Sequence, residues 1–394
     1  MKITVLRKLH RLILMAGPVS IACCAAAVSA SPDLQTRDAQ RVEVPSLDRA
    51  GGSAVLLPAW WFAAPVVAPL VAPVVAPAVA PVVTPAVAPA VTPLLAPFAA
   101  DSSTAAPRPA LVLLHGCGGV FGRGALLAER YTELASRLAA LGVQALVVDS
   151  LTPRGERELC TQRVGQRKTT QLQRRRDALG ALQWLASQPG VDRTRIGLLG
   201  WSHGGSTVLA ASNLAHAEVA GAPTKPSLTV AYYPGCVTER DRGYWPAAPL
   251  LMLLGEADDW TPAAPCKELA AAARGEPQPQ WVAYAGAHHG FDGTAAVRLR
   301  ADVPNGVNEH AGVHAGGQPL ARALAAQRLQ EFLRAQWQLP LPAVPAGPTV
   351  PAVPAVPTVP TVPAVPGVSA FLPVSVSPAA TLFNPGPHHL RTGS

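Results

Sequence analysis

Between Pro107 and Pro340, short apolar runs alternate with helical hydrophobic patterns. The runs are continuous rather than alternating, which is typical of strands buried on both faces of a sheet. Buried strands are predicted at 111–115, 145–149, 196–200, 228–233, 250–255 and 281–284. Helices are predicted at 127–141, where apolar residues recur at helical spacing before Gly142, and at 170–187, 266–273 and 321–336. This order predicts an α/β domain with a doubly wound, mostly parallel sheet.

Proline divides the chain into parts. Most of the 42 prolines lie in residues 58–97 and 339–387, which repeat Ala-Val-Pro and related units. Proline removes the backbone donors that helices and central strands need, so such repeats favour extended, semi-rigid spacers. We therefore predict a disordered and Pro-rich segment at 31–106, an α/β domain at 107–338 and a Pro-rich low-complexity tail at 339–394. Either these arms are plain spacers or they contact the cell envelope.

The first 30 residues have the features of a cleaved signal peptide. A basic start precedes an apolar run at 12–27 and small residues at Val28-Ser-Ala30. Export to the periplasm or the medium is predicted, with no transmembrane span after cleavage. A lipid anchor at Cys23 or Cys24 is the alternative, although the residues before Cys23 form a poor lipidation signal.

Loss of residues 1–30 would change the charge and the cysteine count. It removes four basic residues and no acids, so the net charge falls from +8 to +4, too little to indicate nucleic-acid binding. Four cysteines remain: Cys117, Cys160, Cys236 and Cys266. In an oxidising compartment they permit two disulfides in three possible pairings, or they remain free buried thiols.

The strongest chemical signal is Gly200-Trp-Ser-His-Gly204, which follows an apolar strand and precedes a segment that can continue as a helix. Gly-x-Ser-x-Gly in a strand–turn–helix context is typical of a nucleophile elbow. A serine hydroxyl needs a base to remove its proton and a carboxylate to orient that base. Ser202 is the predicted nucleophile.

Two later strand ends offer the partners in the order acid, then histidine. The strand 250–255 is followed by Asp258-Asp259, and the strand 281–284 by His288-His289. Asp258 is favoured by its spacing from Gly255 and Pro262, and His289 because it precedes Gly-Phe. The paired histidines are an alternative metal site, but no metal-ligand spacing accompanies them. The prediction is therefore that the protein uses neither a metal nor another cofactor.

The loop after the first predicted strand, His115-Gly-Cys-Gly-Gly119, is the predicted second half of an oxyanion hole. The backbone N–H groups of Cys117 and His203 are the candidate donors. Gly116, Trp201 and Arg154 are predicted to contact substrate. Arg154 alternatively pairs with Asp149 or Glu156. The basic stretch that continues to 176 forms either a rim for anionic substrates or a solvated surface.

Five motifs in order resemble the dienelactone hydrolase family, over about residues 107–337. They are Leu114-His-Gly-Cys-Gly-Gly, Asp149-Ser-Leu-Thr-Pro-Arg-Gly, Gly200-Trp-Ser-His-Gly, Gly255-Glu-Ala-Asp-Asp-Trp-Thr-Pro and Gly286-Ala-His-His-Gly-Phe. The resemblance implies an α/β-hydrolase fold and hydrolysis of esters or lactones. It also implies a triad of Ser202, Asp258 and His289, acting as nucleophile, orienting acid and general base.

Two departures from that family bear on the substrate. Dienelactone hydrolases use a cysteine nucleophile and carry a glutamate where this chain has Gly116. They also bind a substrate carboxylate with arginines, whereas His289 is followed by Gly-Phe-Asp-Gly. A serine esterase acting on a small ester or lactone other than dienelactone is therefore predicted. A Pro-rich envelope protein that carries a hydrolase domain and an oligopeptidase-type peptidase are the alternatives.

Overall fold

The computed structural model describes residues 39–63, 106–308 and 311–340. Its strands are β1 (Ala39–Ala50), β2 (Ser53–Phe62), β3 (Arg108–Leu114), β4 (Gln144–Val148), β5 (Val191–Trp201), β6 (Thr229–Tyr232), β7 (Leu250–Gly255), β8 (Gln280–Tyr284), β9 (Arg298–Arg300) and β10 (Val313–Ala315). Its helices are α1 (Glu129–Ala139), α2 (Gln171–Ser187), α3 (His203–Ser212), α4 (Ala217–Ala220), α5 (Val237–Arg242), α6 (Ala264–Ala271) and α7 (Pro319–Trp337), with short 3-10 turns at Arg123–Ala125, Thr152–Arg154 and Val164–Gln166.

Eight strands form one sheet in the order β1-β2-β4-β3-β5-β6-β7-β8. The pairs from β4 to β8 are parallel, whereas β1 and β2 are antiparallel to each other and β2 is antiparallel to β4. All six strands and all four helices predicted from the hydrophobic pattern are present, with ends shifted by a few residues. The mostly parallel α/β fold is confirmed.

Helices cover both faces of the sheet. Along β3, Ala110, Val112 and Leu114 belong to the core on the side of α2 and α3, and Leu111 and Leu113 to the core on the side of α1 and α7. All five side chains are fully buried. This two-sided burial explains why the central strands are continuous apolar runs. In the part of the chain that the structure describes, no helix is long and apolar enough to cross a membrane.

The prediction of disorder over 31–106 is wrong for residues 39–62, because they form the β1–β2 hairpin at the sheet edge. Helix α2 packs closely on β1, where a Cβ on Gly180 would lie 2.3 Å from the carbonyl oxygen of Pro45. The α/β domain therefore includes residues before 107. Residues 31–38 and 64–105, the predicted signal peptide and the tail from 341 lie outside the described residues.

The first Pro-rich segment connects two strands of one sheet. Phe62, at the end of β2, pairs with Ala145, and Ala110, near the start of β3, pairs with Gln144. The end of β2 and the start of β3 therefore lie on either side of the first residues of β4, at the amino-terminal edge of the parallel strands. Ser202 follows the carboxyl end of β5, at the opposite edge.

A buried ionic network holds the hairpin to the domain. Arg154 donates hydrogen bonds to both carboxylate oxygens of Asp177, at 2.8 and 2.9 Å, and to Asp48 at 2.9 Å. Asp177 also accepts the hydroxyl of Ser46 at 2.6 Å. The guanidinium of Arg154 is thus engaged away from Ser202, with neither Asp149 nor Glu156 as its partner. The prediction that Arg154 contacts substrate is wrong.

Asp177→Ala is expected to lower the free energy of unfolding by about 3–5 kcal/mol, because it leaves the buried Arg154 cation with too few partners. Urea unfolding measures this change. Glu331→Ala is the control, since Glu331 is half exposed and its ion pair is screened by water. If the two substitutions have similar small effects, the network does not stabilise the hairpin.

Candidate active site

Ser202 lies in a sharp turn between β5 and α3. Its backbone angles, φ 52° and ψ −119°, fall outside the regions that L-residues ordinarily adopt. A Cβ on Gly204 would lie 2.1 Å from the carbonyl oxygen of Leu114, and one on Gly200 would lie 2.3 Å from the carbonyl oxygen of Gly204. The two glycines of Gly-x-Ser-x-Gly are therefore required by close backbone contacts that hold the strained serine.

Three predicted residues form one hydrogen-bonded chain. His289 Nε2 lies 2.8 Å from Ser202 Oγ, and His289 Nδ1 lies 2.9 Å from Asp258 Oδ2. All three are buried, with exposed fractions of 9% for Ser202, 5% for Asp258 and 4% for His289. They come from the carboxyl ends of β5, β7 and β8, which the parallel sheet places along one edge. Such a chain can pass a proton from the serine hydroxyl to the imidazole.

The loop after β7 orients the Asp258 carboxylate. Oδ1 accepts the backbone N–H groups of Trp260 at 2.9 Å and Thr261 at 2.8 Å. The Thr261 hydroxyl lies 3.1 Å from Asp258 Oδ2, 3.0 Å from His289 Nδ1 and 2.9 Å from the carbonyl oxygen of Tyr233. Thr261 was not identified from the sequence. Its position three residues after Asp258, before Pro262, is the turn signal that indicates it.

The neighbouring acid and histidine point elsewhere. Asp259 accepts the backbone N–H of His314 at 2.8 Å, and its other oxygen lies 2.7 Å from His314 Nδ1. His288 Nδ1 is buried and has no hydrogen-bond partner among the described residues. Of each adjacent pair, the structure thus places Asp258 and His289, and not Asp259 and His288, in the chain that ends at Ser202.

Two disulfides brace the loops around Ser202. Cys117 is bonded to Cys160 and Cys236 to Cys266, one of the three pairings that the sequence left open. The Cys117 carbonyl also accepts the N–H of Leu159 at 2.7 Å. The loop that carries the predicted donor Cys117 is therefore fixed by a covalent bond and a backbone hydrogen bond.

Gly116 and Trp201 both border the space beside Ser202. A Cβ on Gly116 would lie 3.5 Å from the Ser202 Cβ. Trp201 is almost fully buried, and its indole N–H donates to Asp292 at 2.8 Å. Trp201 can therefore offer an apolar edge, while its polar group is already used.

Two clefts meet at Ser202. One has a volume of about 270 Å³ and is lined by Val164, Arg167, Val237, Trp260, Pro262 and Pro265, among others. The other has a volume of about 250 Å³ and is lined by Gly116, Phe121, Tyr131, Trp201, Tyr233 and Arg300, among others. This arrangement leaves room for a substituent on each side of a bond held at Ser202.

Behind Ser202, a buried arginine joins the two predicted oxyanion segments. Arg174 donates to the carbonyl oxygen of His115 at 2.7 Å and to His203 Nδ1 at 2.7 Å. Because arginine can only donate, His203 Nδ1 accepts, and the neutral ring carries its proton on Nε2. Burial lowers the pKa of Arg174 to about 10, against the opposing effect of Asp177, so it stays charged at neutral pH.

The basic stretch 154–176 is exposed only in part, and its exposed basic residues are Arg157, Arg163 and Lys168. Arg174 is fully buried, and Arg175 and Arg176 both pair with Glu218. Arg167, by contrast, lines the larger cleft, and its guanidinium donates weakly to the Gln162 carbonyl at 3.3 Å. Burial lowers the pKa of Arg167. Because arginine nevertheless stays protonated in proteins, one positive charge lies beside the cleft at Ser202.

Burial, with the added effect of the Arg174 charge, holds the pKa values of both His115 and His203 well below the ordinary histidine value. The unfolded chain protonates these histidines near pH 6.5, whereas the folded chain keeps them neutral. The free energy of unfolding is therefore expected to fall as the pH drops from about 7 to 5, by up to about 1.4 kcal/mol per pH unit for each histidine.

Urea unfolding at several pH values measures this slope, and His115→Gln provides the comparison. The variant should lose the part of the slope that one histidine contributes. An unchanged slope in His115→Gln would show that His115 does not stay neutral in the fold.

Comparison with known proteins found a matching family model and several similar solved structures. A family model described as the dienelactone hydrolase family matches residues 95–334. A Klebsiella pneumoniae protein assigned as a dienelactone hydrolase is 18% identical, with 75% of this chain and 98% of that chain covered and a TM-score of 0.46. Thermogutta terrifontis esterase 2 is 17% identical, with coverage of 77% and 96% and a TM-score of 0.47.

A puromycin-hydrolysing peptidase of Mycobacterium tuberculosis is 16% identical, with 77% of this chain and 40% of that chain covered and a TM-score of 0.44. The search of curated proteins found no match. The family model covers more than half of the sequence and includes β3, β5, β7 and β8, the strands that position the site. The chain therefore belongs to the dienelactone hydrolase family.

Proposed function

We propose that this protein is an exported serine hydrolase that cleaves carboxylic esters or lactones through an acyl-enzyme intermediate. The observation that carries the proposal is the hydrogen-bonded chain from Asp258 through His289 to Ser202, with heavy-atom distances of 2.9 and 2.8 Å. These are the distances that a nucleophile, its base and an orienting acid need for proton transfer.

The reaction begins when Ser202 Oγ attacks the substrate carbonyl carbon and His289 Nε2 takes the hydroxyl proton. Asp258 keeps the other proton of the imidazolium on Nδ1 and stabilises its charge. The backbone N–H groups of Cys117 and His203 hold the oxyanion of the tetrahedral intermediate. Collapse of this intermediate expels the alcohol, which receives the proton from His289.

Deacylation repeats these steps with water as the nucleophile. His289 removes a proton from the water, the hydroxide adds to the acyl carbon, and Ser202 leaves with the returned proton. The carboxylic acid is the second product. Each residue thus recovers its starting state, and one water molecule is consumed in each turnover.

Two features favour an ester or lactone other than dienelactone. The nucleophile position carries Ser202 in place of the cysteine of dienelactone hydrolases, and Gly116 stands where those enzymes have glutamate. No arginine follows His289 closely in the sequence; the next one is Arg298. The clefts beside Ser202 have a mixed lining: aromatic and aliphatic side chains such as Trp260, Val237 and Phe121 lie beside polar ones, and the arginines among them are Arg130, Arg167 and Arg300.

A panel of substrates with one acyl group tests the reaction class. We expect the purified full chain to hydrolyse p-nitrophenyl acetate and small lactones at least a hundredfold faster, in kcat/KM, than the matched p-nitroanilide and short peptides. Two physical reasons apply: an amide carbonyl is less reactive and its nitrogen is a poorer leaving group than a nitrophenolate, and the clefts beside Ser202 leave little room for a peptide. A preference for the anilide or for peptides would support the oligopeptidase alternative and contradict the proposal.

Export is supported by the two disulfides, because such bonds persist in oxidising compartments. A reporter fused after residue 30 tests the signal directly. It should be exported, and replacement of Lys2, Arg7, Lys8 and Arg11 by glutamine should impair export. Retention of the reporter in the cytoplasm would contradict the location.

We further propose that the Pro-rich arms serve location rather than catalysis. The strand β2 ends and β3 begins at the edge of the sheet opposite Ser202, so residues 64–105 are attached there. Helix α7 ends beside Ser227, where Trp337 donates to the serine hydroxyl at 2.9 Å. Ser227 precedes β6, so this point also lies at the amino-terminal edge.

A shortened protein separates the roles in location and in catalysis. In this protein a short Gly/Ser linker replaces residues 64–105, and the chain ends at residue 340. Kinetics should be unchanged, while retention at the cell envelope is lost. Equal retention of the shortened and full-length proteins would contradict a role in location, and a large fall in kcat would show that the arms take part in catalysis.

A further inference from the structure

We propose that Asp259, His288 and His314 bind a divalent transition-metal ion, best matched by zinc, at a site separate from Ser202. These three residues are called the Asp259 cluster. The sequence predicts no metal site, because the fold and not local spacing brings His314 to the Asp-Asp and His-His pairs. None of the three lines the clefts at Ser202.

The geometry suits a single ion. Each residue offers one ligand atom, and these atoms all lie within 4.8 Å of one another. Donors around a tetrahedral zinc ion lie about 3.3 Å apart. The two histidine rings have centroids 5.4 Å apart, and His314 is about half exposed, so rotation of side chains can bring the donors to the required spacing.

His288 provides a second and independent observation. Its Nδ1 atom is buried, yet it has no hydrogen-bond partner within the described residues. Burying a polar nitrogen without a partner is unfavourable, and such groups are rare in folded proteins. Coordination of a cation by Nδ1 of His288 would compensate for that cost.

The donor set indicates the kind of metal. Two imidazoles and one carboxylate suit zinc and related first-row ions, whereas calcium and magnesium prefer sites made only of oxygen. The second oxygen of Asp259 already accepts the His314 backbone N–H at 2.8 Å, which fixes the carboxylate in place. Metal binding would displace any proton shared between Asp259 and His314.

The ion would join three segments next to the catalytic loops. Asp259 follows Asp258, His288 precedes His289, and β10 carries His314. The strand β10 pairs with β9, and Gly316, just beyond it, donates its N–H to the His289 carbonyl at 2.9 Å. A bound ion would therefore hold the β9–β10 hairpin to both loops and raise thermal stability.

Zinc titration of the EDTA-treated full chain, with a chromophoric chelator as competitor, tests the proposal. We expect one ion bound at the Asp259 cluster and an affinity at least tenfold weaker in His314→Ala and in His288→Ala. Cobalt should give the visible spectrum of four- or five-coordinate ions, lost in both variants. Because the tail contains His388 and His389, their double alanine variant is the control and should retain the site.

Thermal melting supplies a readout that does not depend on catalysis. Zinc should raise the melting temperature of the wild type and not that of His314→Ala, each measured against the same protein in EDTA, because the variant also loses the metal-free contact with Asp259. The proposal is overturned if about 100 µM zinc does not bind, if both substitutions leave binding unchanged, or if only the tail variant abolishes it. Ester hydrolysis in EDTA would persist in each case, so the proposed function is tested separately.

Discussion

Ser202→Ala is expected to lower kcat for p-nitrophenyl acetate by about 10⁶-fold, to the level that binding and the oxyanion hole provide alone. The substitution removes the hydroxyl that contacts His289 Nε2, and no acyl-enzyme can form. Loss of a single oxygen atom should leave the fold intact, because the strained backbone at this position depends on Gly200 and Gly204.

Ser206→Ala is the matched control for that result. Ser206 lies one turn further along α3, and its hydroxyl accepts the N–H of Gly235 at 2.8 Å without touching His289. It should keep most of the activity. If Ser202→Ala, folded by circular dichroism, retains more than about 1% of the wild-type kcat, Ser202 is not the nucleophile.

Asp258→Asn is expected to lower kcat by about 10⁴-fold. The amide of asparagine can donate to His289 Nδ1, which leaves the ring proton on Nε2, facing Ser202 Oγ. The imidazole then cannot accept the serine proton. The other contacts of residue 258, from the N–H groups of Trp260 and Thr261 to Oδ1, should persist, so the geometry stays intact.

Asp259→Asn is the adjacent comparison, assayed in EDTA so that metal binding does not enter. Asp259 faces His314 rather than His289, and we expect a fall in kcat of less than tenfold. Equal falls in the two variants, or a larger fall for Asp259→Asn, would show that the orienting acid has been assigned to the wrong residue.

The parallel sheet and the serine turn could be predicted because their signals are local. Strands buried on both faces are continuous apolar runs, and Gly-x-Ser-x-Gly follows one of them. The β1–β2 hairpin was missed although Gly51-Gly52 is a turn signal and Val42 and Val44 alternate with polar residues. The strand β1 has the polar composition of the residues before it, whereas the apolar β2 contains Pro58 and runs directly into the Pro-rich repeat, which hides its end.

Contacts between residues far apart in the chain account for the other features that could not be predicted from the sequence. Arg154 is held by Asp48, which lies 106 residues earlier in the chain, and no local pattern indicates that pair. Likewise, nothing in the spacing of four cysteines selects one of three pairings. The choice between Asp258 and Asp259 depends on which way two consecutive side chains turn, and Trp260 and Thr261 determine this by binding Asp258.

Labelling with a fluorophosphonate, followed by mass spectrometry of the modified peptide, tests the central claim most directly. The reagent phosphorylates a serine only when a base has activated it. The account predicts one label per chain, on Ser202, formed in the wild type and in Asp259→Asn and strongly slowed in Asp258→Asn. A folded protein that takes no label, or a label on another serine, would contradict it.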